Sequence, residues 1–269
     1  MSNLILIRGG GDLASGVALR LVRVGLRVLI AELPRPLAVR RLVSFCEAVY
    51  SGETRVEDII AQRAADFEHV EKILKKKRIP VLIDPELRSL AHFKPLVLID
   101  GRMAKRAPDL GVQAAPMVIG LGPGFVGGEN CHAAIETNRG HRLGRVIWDG
   151  APQADTGIPD SVGSHRSERV LRAPADGLLN TFAEICDQVE TGQLIAEVDG
   201  MPVYAPFKGV LRGLLRDGLP VRNGLKIGDL DPRNEPGYCH LVSDKSLAIA
   251  GGVLEALLTL PGIRTGLWD

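Results

Sequence analysis

Three stretches of the chain carry residue types that can do chemistry. The first is Gly9-Gly10-Gly11-Asp12, in which Gly9-x-Gly11-x-x-Ala14 has the spacing of a phosphate-binding turn. Glycines let a backbone turn tightly and approach a phosphate, and the helix that follows offers unpaired N–H groups. An acid at the tip of the next strand, here Glu32, can hold ribose hydroxyls. Asp12 complicates that pattern. It stands at the expected N-cap, where its carboxylate would satisfy those N–H groups and oppose an anion unless a cation intervened. A glycine turn capped by Asp12 that binds nothing is the alternative.

The second stretch, Gly120-Leu121-Gly122-Pro123-Gly124-Phe125, follows an apolar run at 117–121. Glycine turns at the carboxyl ends of parallel strands line the crevice in which open α/β sheets take ligands. Arg102, Lys105 and Arg106 follow another strand end and could add phosphate contacts, or they could be solvated charges. The third stretch is Cys131-His132-x-x-x-Glu136-Thr137-Asn138-Arg139-Gly140-His141. A thiol near His or Arg can be held as the nucleophilic thiolate. Cys131, His132 and Glu136 are therefore the candidate catalytic residues, with Arg139 and His141 as candidate ligand contacts. On a helix His132 and Glu136 would share a face, a spacing that could also suit a metal; a structural buried cysteine is the alternative.

These residues need elements to position them. Leu4 to Ile7, the glycine turn, a helical period through Leu13, Val17 and Leu21 closed by Gly25, and the run Arg27 to Ala31 form one βαβ unit. Pro34-Arg35-Pro36 breaks the chain, and 37–47 reads as a second helix. Residues 48–62 suggest a hairpin turning at Ser51-Gly52, and 66–77 a helix. Strand-like runs at 79–83, 95–99 and 117–121 point to an open, mostly parallel α/β sheet.

Texture changes near residue 143, where short runs with frequent Gly and Pro replace helices. Ala173-Pro174-x-x-Gly177 recurs 32 residues later as Ala205-Pro206-x-x-Gly209, and Leu179, Val189, Gly192 and Ile195 recur as Leu211, Val221, Gly224 and Ile227. Two copies of a short β unit predict a sandwich or flattened barrel with approximate two-fold symmetry. Ser243-Asp244 then opens a final helix, in which adjacent Gly251-Gly252 costs about 1 kcal/mol per glycine relative to alanine, a cost usually offset by close backbone packing. The expected organisation is a Rossmann-like domain over 1–143, an all-β domain over 144–238, and a helix over 239–269 docking back on the first.

The chain has 269 residues, with 33 basic and 32 acidic side chains, so charge gives no sign of a nucleic-acid or membrane-surface partner. Its apolar runs fall well short of the roughly 20 residues that span a bilayer. The first residues do not resemble a secretory signal. The four cysteines have no CxxC or Cys/His ligand spacing, so no metal site is assigned. A cytoplasmic location is the expectation.

The repeated region resembles biotinyl/lipoyl-type barrel-sandwich modules through Tyr204-Ala205-Pro206-Phe207-Lys208-Gly209-Val210 and Gly218-x-x-Val221-x-x-Gly224. In those carriers the hairpin between halves presents a modified lysine. Here that hairpin, Val198-Asp199-Gly200-Met201-Pro202, has none, which argues against a swinging arm.

Over its length the sequence is similar to the accessory family of selenium-dependent molybdenum hydroxylases, the YqeB type. The carrying segments are 8–16, 36–41, Gly120–Phe125, 136–145 and 226–233. The resemblance implies a Rossmann-like domain joined to a barrel-sandwich hybrid domain, and a role in maturing a molybdenum hydroxylase, with delivery or insertion of selenium or sulfur. Molybdenum cofactor (molybdopterin) or a related nucleotide-like ligand would then sit against the two glycine turns. Cys131 would relay the chalcogen as a persulfide or selenosulfide near Arg139. Partners expected are the client hydroxylase and the pterin or nucleotide-like ligand; self-association stays open. Two other readings remain. One is an NAD(P)-dependent oxidoreductase using the same turn, although no tyrosine–lysine pair stands out. The other is a non-enzymatic adaptor whose β domain docks on the client.

Overall fold

The computed structural model describes residues 3–154 and 168–268. They fall into two compact units. The first comprises residues up to 36, 44–154 and 242 onward; the second comprises 37–43 and, among the described residues, 168–241.

The first unit is mixed α/β. It contains β1 (Leu4–Arg8), α1 (Asp12–Arg23), β2 (Arg27–Glu32), α2 (Ala48–Ser51), β3 (Glu53–Val56), β4 (Ile59–Ala64), α3 (Phe67–Lys75), β5 (Ile79–Ile83), α4 (Arg88–Phe93), β6 (Val97–Asp100), β7 (Met117–Leu121), β8 (Ala133–Ile135) and β9 (Val146–Ile147), then α5 (Asp244–Thr259) and α6 (Pro261–Gly266). One nine-stranded sheet has the order β3-β4-β5-β2-β1-β6-β7-β8-β9. It is parallel from β4 to β8, with antiparallel pairing only at its edges, β3–β4 and β8–β9. β1 and β7 are continuous apolar runs because both faces of these central strands are covered. Strands β1, β6 and β7 are neighbours and in register at Arg8, Asp100 and Gly120, so both glycine turns leave the same sheet edge one strand apart.

Helix α5 packs along α1 through small residues. A Cβ on Gly16 would lie 2.6 Å from the Ser246 Cβ; farther along, α5 meets the turn before β9, where a Cβ on Gly252 would lie 2.0 Å from the Gly144 oxygen. The expected close approach in the final helix therefore belongs to Gly252. A Cβ on Gly251 would meet nothing within 4 Å.

Several expectations are corrected in this unit. Residues 37–47 are not a helix: two short 3-10 turns, Arg41–Val43 and Phe45–Glu47, fall on either side of the division between units. Val39 packs with the second unit's core while Phe45 and Cys46 are buried in the first. A continuous helix could not serve both. Ser51-Gly52 closes the short helix α2, and the hairpin turns instead at Glu57-Asp58, where Glu57 takes the left-handed φ of 51°. The stretch around His132 and Glu136 is extended as β8, so the two do not share a helix face.

The second unit contains β10 (Val170–Arg172), β11 (Gly177–Thr181), β12 (Gln188–Val189), β13 (Leu194–Val198), β14 (Met201–Tyr204), β15 (Gly209–Leu214), β16 (Pro220–Val221) and β17 (Lys226–Asp231). They form two four-stranded antiparallel sheets, β10-β17-β15-β12 and β14-β13-β11-β16. The 32-residue offset carries β10, β11, β12 and β13 onto β14, β15, β16 and β17, and so turns one sheet order into the other. Each half supplies the central pair of one sheet and the edge strands of the other. The halves join through Asp199 and Gly200, both at positive φ (51° and 77°), as a tight two-residue hairpin requires. The Ala-Pro pairs follow β10 and β14 rather than opening strands; Ala173 and Ala205 are buried in the shared core.

Candidate functional site

The first glycine turn is closed from within. Gly9 takes a left-handed φ of 87°, and its Cα faces the backbone of Arg102. The Gly10 N–H donates to Glu32 Oε1 (2.6 Å), and the Gly10 carbonyl accepts from the Cys46 N–H (2.9 Å). A Cβ on Gly10 would lie 3.0 Å from Ile30 and 3.1 Å from the Cys46 nitrogen. Ser15 Oγ ties the cover down, donating to the Gly10 carbonyl and accepting from the Phe45 N–H. Only Gly11 faces open space.

Glu32 therefore does not present its carboxylate to a ribose. It is buried, its second oxygen accepts from the Leu33 N–H, and burial raises its pKa against these two backbone bonds. Asp12 is also not the cap. Gly11 occupies the N-cap without a side-chain bond, Asp12 is the first helical residue, and its Oδ1 accepts from Ser246 Oγ (3.1 Å). The carboxylate thus reaches sideways to the start of α5.

The second turn is filled as well. A Cβ on Gly120 would stand 2.0 Å from Cγ of Phe125, whose ring is 1% exposed. Gly122 and Gly124 press on the backbone of 103–106, and the Gly124 N–H donates to the Ala104 carbonyl (2.7 Å). The two turns converge, but on the intervening segment 101–106 rather than on a shared hollow of bare backbone. These glycines permit chain-to-chain packing.

Segment 102–109 supplies the outer surface at this edge. Arg102 donates to both oxygens of buried Asp100 and to Asp109 (2.7 Å), and Arg8 donates to both oxygens of Asp109 (2.6 and 2.9 Å). Hydrogen bonding and charge from Asp100 hold Arg102 above its ordinary pKa, and Arg8 holds the Asp109 carboxyl far below the usual carboxylate range. Beside this pairing lies an open depression of about 450 Å³ lined by Arg102, Lys105, Arg106, Pro108 and Asp109. Lys105 and Arg106 are exposed, so the lining carries three cations against one carboxylate. Such a surface can hold a phosphate.

The third stretch does not assemble there. Cys131 is 0% exposed, and burial pushes its thiol up to about 11, only partly countered by the N–H groups of Gly120 and Val126. A thiol so placed is neither a thiolate at neutral pH nor within reach of a substrate, which removes the expected first nucleophile. His132 lies at the amino end of β8, where its Nδ1 accepts from the Val118 N–H (2.9 Å), while the glycine turns leave the carboxyl edge. Glu136 is 1% exposed and accepts from the N–H groups of Asn138 and Gln153 (2.8 Å each), pinning two loops. Arg139 makes a bidentate pair with Asp244 (2.6 and 2.7 Å), and His141 is exposed. The sequence marks neither Asp100 nor Asp109, and it marks Arg8 only as the start of segment 8–16 and not as a partner of Asp109. Asp100, an acid ending a buried apolar strand as Glu32 does, was the available signal.

No family model matches the chain. Among solved structures, an aspartoacylase family protein from Mesorhizobium loti is 12% identical with a TM-score of 0.26, covering 85% of this chain and 84% of that one. The ectoine utilization protein EutE from Ruegeria pomeroyi is 11% identical with a TM-score of 0.25, covering 85% and 86%. Superpositions this loose carry no argument. The chain is 46% identical over 259 residues to the Uncharacterized protein YqeB of Escherichia coli (strain K12), a match covering 96% of this chain and 48% of that protein, so it spans about half the length of the curated relative it matches.

Proposed function

We propose that this chain is an accessory protein in the maturation of a molybdenum hydroxylase and that it holds an anionic pterin or nucleotide-like cargo at the carboxyl edge of its parallel sheet. The observation that carries the reading is the basic depression formed by Arg102, Lys105 and Arg106, immediately outside the segment on which both glycine turns press. The cargo's phosphate would meet guanidinium and ammonium groups there, rather than the turn amides that Glu32 and Ala104 already engage. The neighbour order β5-β2-β1-β6-β7 supports a Rossmann-like description of the first unit, and the interleaved repeat supports a barrel-sandwich description of the second. Chalcogen transfer through Cys131 is not part of the proposal, because the thiol is sealed in the core.

The test is calorimetric titration with CTP and with isolated molybdenum cofactor, using NAD(H) as comparator. Charge reversal in Lys105→Glu/Arg106→Glu is expected to weaken CTP and pterin binding at least about tenfold, as the loss of two phosphate contacts implies. Binding unchanged by the reversal, or preference for NAD(H) with turnover, overturns the proposal. A second reading, an adaptor docking on the client, is favoured by the outer face of the sheet β14-β13-β11-β16, where Leu178, Phe182 and Tyr204 are each more than half exposed. Complex formation abolished by Leu178→Asp/Phe182→Asp but indifferent to Lys105 and Arg106 would select it.

A further inference from the structure

The second unit contains a thiol pair that neither reading uses. Cys186 lies in the turn between β11 and β12 with a left-handed φ of 86°, a conformation that few residues bearing a Cβ adopt. Its amide donates to the Leu211 carbonyl (2.9 Å), and the Cys239 thiol points at the same oxygen (3.9 Å). One carbonyl of β15 thus brings together two cysteines 53 positions apart (239 less 186). Burial and contact with Cys186 push the Cys239 thiol up to about 12. Cys186 is partly exposed, and its Sγ is 3.4 Å from Nε2 of the exposed His240. The cluster therefore holds a reachable thiol, an imidazole against it and a buried second thiol.

We propose that Cys186, His240 and Cys239 form a thiol–disulfide exchange site acting on disulfide substrates, independently of any cargo held by the first unit. The Cys186 thiol passes its proton to Nε2 of His240, and the thiolate attacks one sulfur of the substrate disulfide. The substrate S–S bond breaks, its leaving thiolate takes the proton from His240, and a mixed disulfide remains on Cys186. Once Cys186 is tied up in the mixed disulfide, its share in raising the Cys239 thiol is gone; Cys239 then attacks Cys186 Sγ and releases the second half of the substrate as a thiol, its own proton passing to the leaving sulfur. The substrate disulfide is reduced by two electrons, and the pair is oxidised to a Cys186–Cys239 disulfide.

The test uses the full chain, reduced and then exposed to oxidised glutathione, with peptide mass spectrometry after alkylation. The wild-type chain should accumulate the Cys186–Cys239 disulfide, whereas Cys239→Ala should stop at a glutathione adduct on Cys186. Acid quenching early in the wild-type reaction should capture the same adduct, so the result does not hang on the variant's folding. His240→Gln should slow adduct formation about tenfold at pH 7, the gap narrowing in alkaline buffer, where hydroxide can take the thiol proton in place of the imidazole. Absence of the Cys186–Cys239 disulfide overturns the proposal. So does an adduct forming first on another cysteine, or a His240→Gln rate equal to wild type at pH 7.

Discussion

Two adjacent glycines in α5 should respond to the same substitution with opposite signs. Gly251 is partly exposed and a Cβ there would meet nothing within 4 Å, so Gly251→Ala should gain the helix-propensity difference, about 1 kcal/mol. At Gly252 the added Cβ would stand 2.0 Å from the Gly144 oxygen and 3.2 Å from the Ile135 side chain. A separation above 3 Å would require a backbone displacement of about 1 Å, comparable with overpackings that cost up to about 3 kcal/mol. Gly144 cannot yield readily. It holds a left-handed φ of 78°, its N–H donates to the Glu136 carbonyl, and its Cα already lies against Ala248. Subtracting the propensity gain of about 1 kcal/mol leaves Gly252→Ala less stable by about 2 kcal/mol. Urea unfolding followed by far-ultraviolet circular dichroism reads both changes, with the slope against urea checked for constancy. A Gly252→Ala chain as stable as wild type would refute the packing argument at Gly144 and Ile135.

Other expectations follow from the same coordinates. Asp229 is 1% exposed and bonded to Arg169 (2.5 Å), Arg212 (2.5 Å) and Lys226 (3.0 Å), so Asp229→Asn should destabilise the second unit by about 3–5 kcal/mol in urea titration. Against the upward push of burial, those cations hold its carboxyl below the unfolded value of about 3.9. Its stabilisation is thus complete above about pH 4 and lost as pH falls further, and the Asn variant should flatten that acid limb; an unaltered limb would assign it elsewhere. Phe125→Ala removes the ring that fills the second glycine turn and should cost about 3–5 kcal/mol, measured by thermal and urea unfolding. Cys131 should resist iodoacetamide in the native chain at pH 8 and react fully in denaturant; native labelling would restore it as a candidate nucleophile.

The elements that were legible in the sequence are those whose pattern is local. The runs 79–83 and 117–121 are strands at those residues, and the 32-residue repeat is a repeat of β strands, each copy contributing four. What stayed hidden depends on partners distant in sequence. Nothing near Glu32 says that its carboxylate turns back to the Gly10 amide, and nothing near Gly120 says that Phe125 fills its empty side, because both outcomes are decided by how the chain folds over its own strand ends. A glycine needed for a ligand and a glycine needed for a neighbouring backbone leave the same letter. Segment 37–47 misled for a related reason: its apolar residues recur at helical spacing but are divided between two cores. Helix α4 went unnoticed because left-handed Leu87 and Lys94, which bracket it, are neither glycine nor proline.

The interleaving of the repeat means that neither half can close its own sheet. Within one half only the central pair bonds to itself, β11 with β13 or β15 with β17, while every outer strand completes the opposite sheet. A solitary copy would expose unsatisfied ladder edges on both sides and could close them only by embracing a twin, as domain-swapped pairs do. The two-residue link at Asp199-Gly200 makes that pair one chain, in which the two sets of loops need not match: the 32-residue offset carries Cys186 onto Gly218.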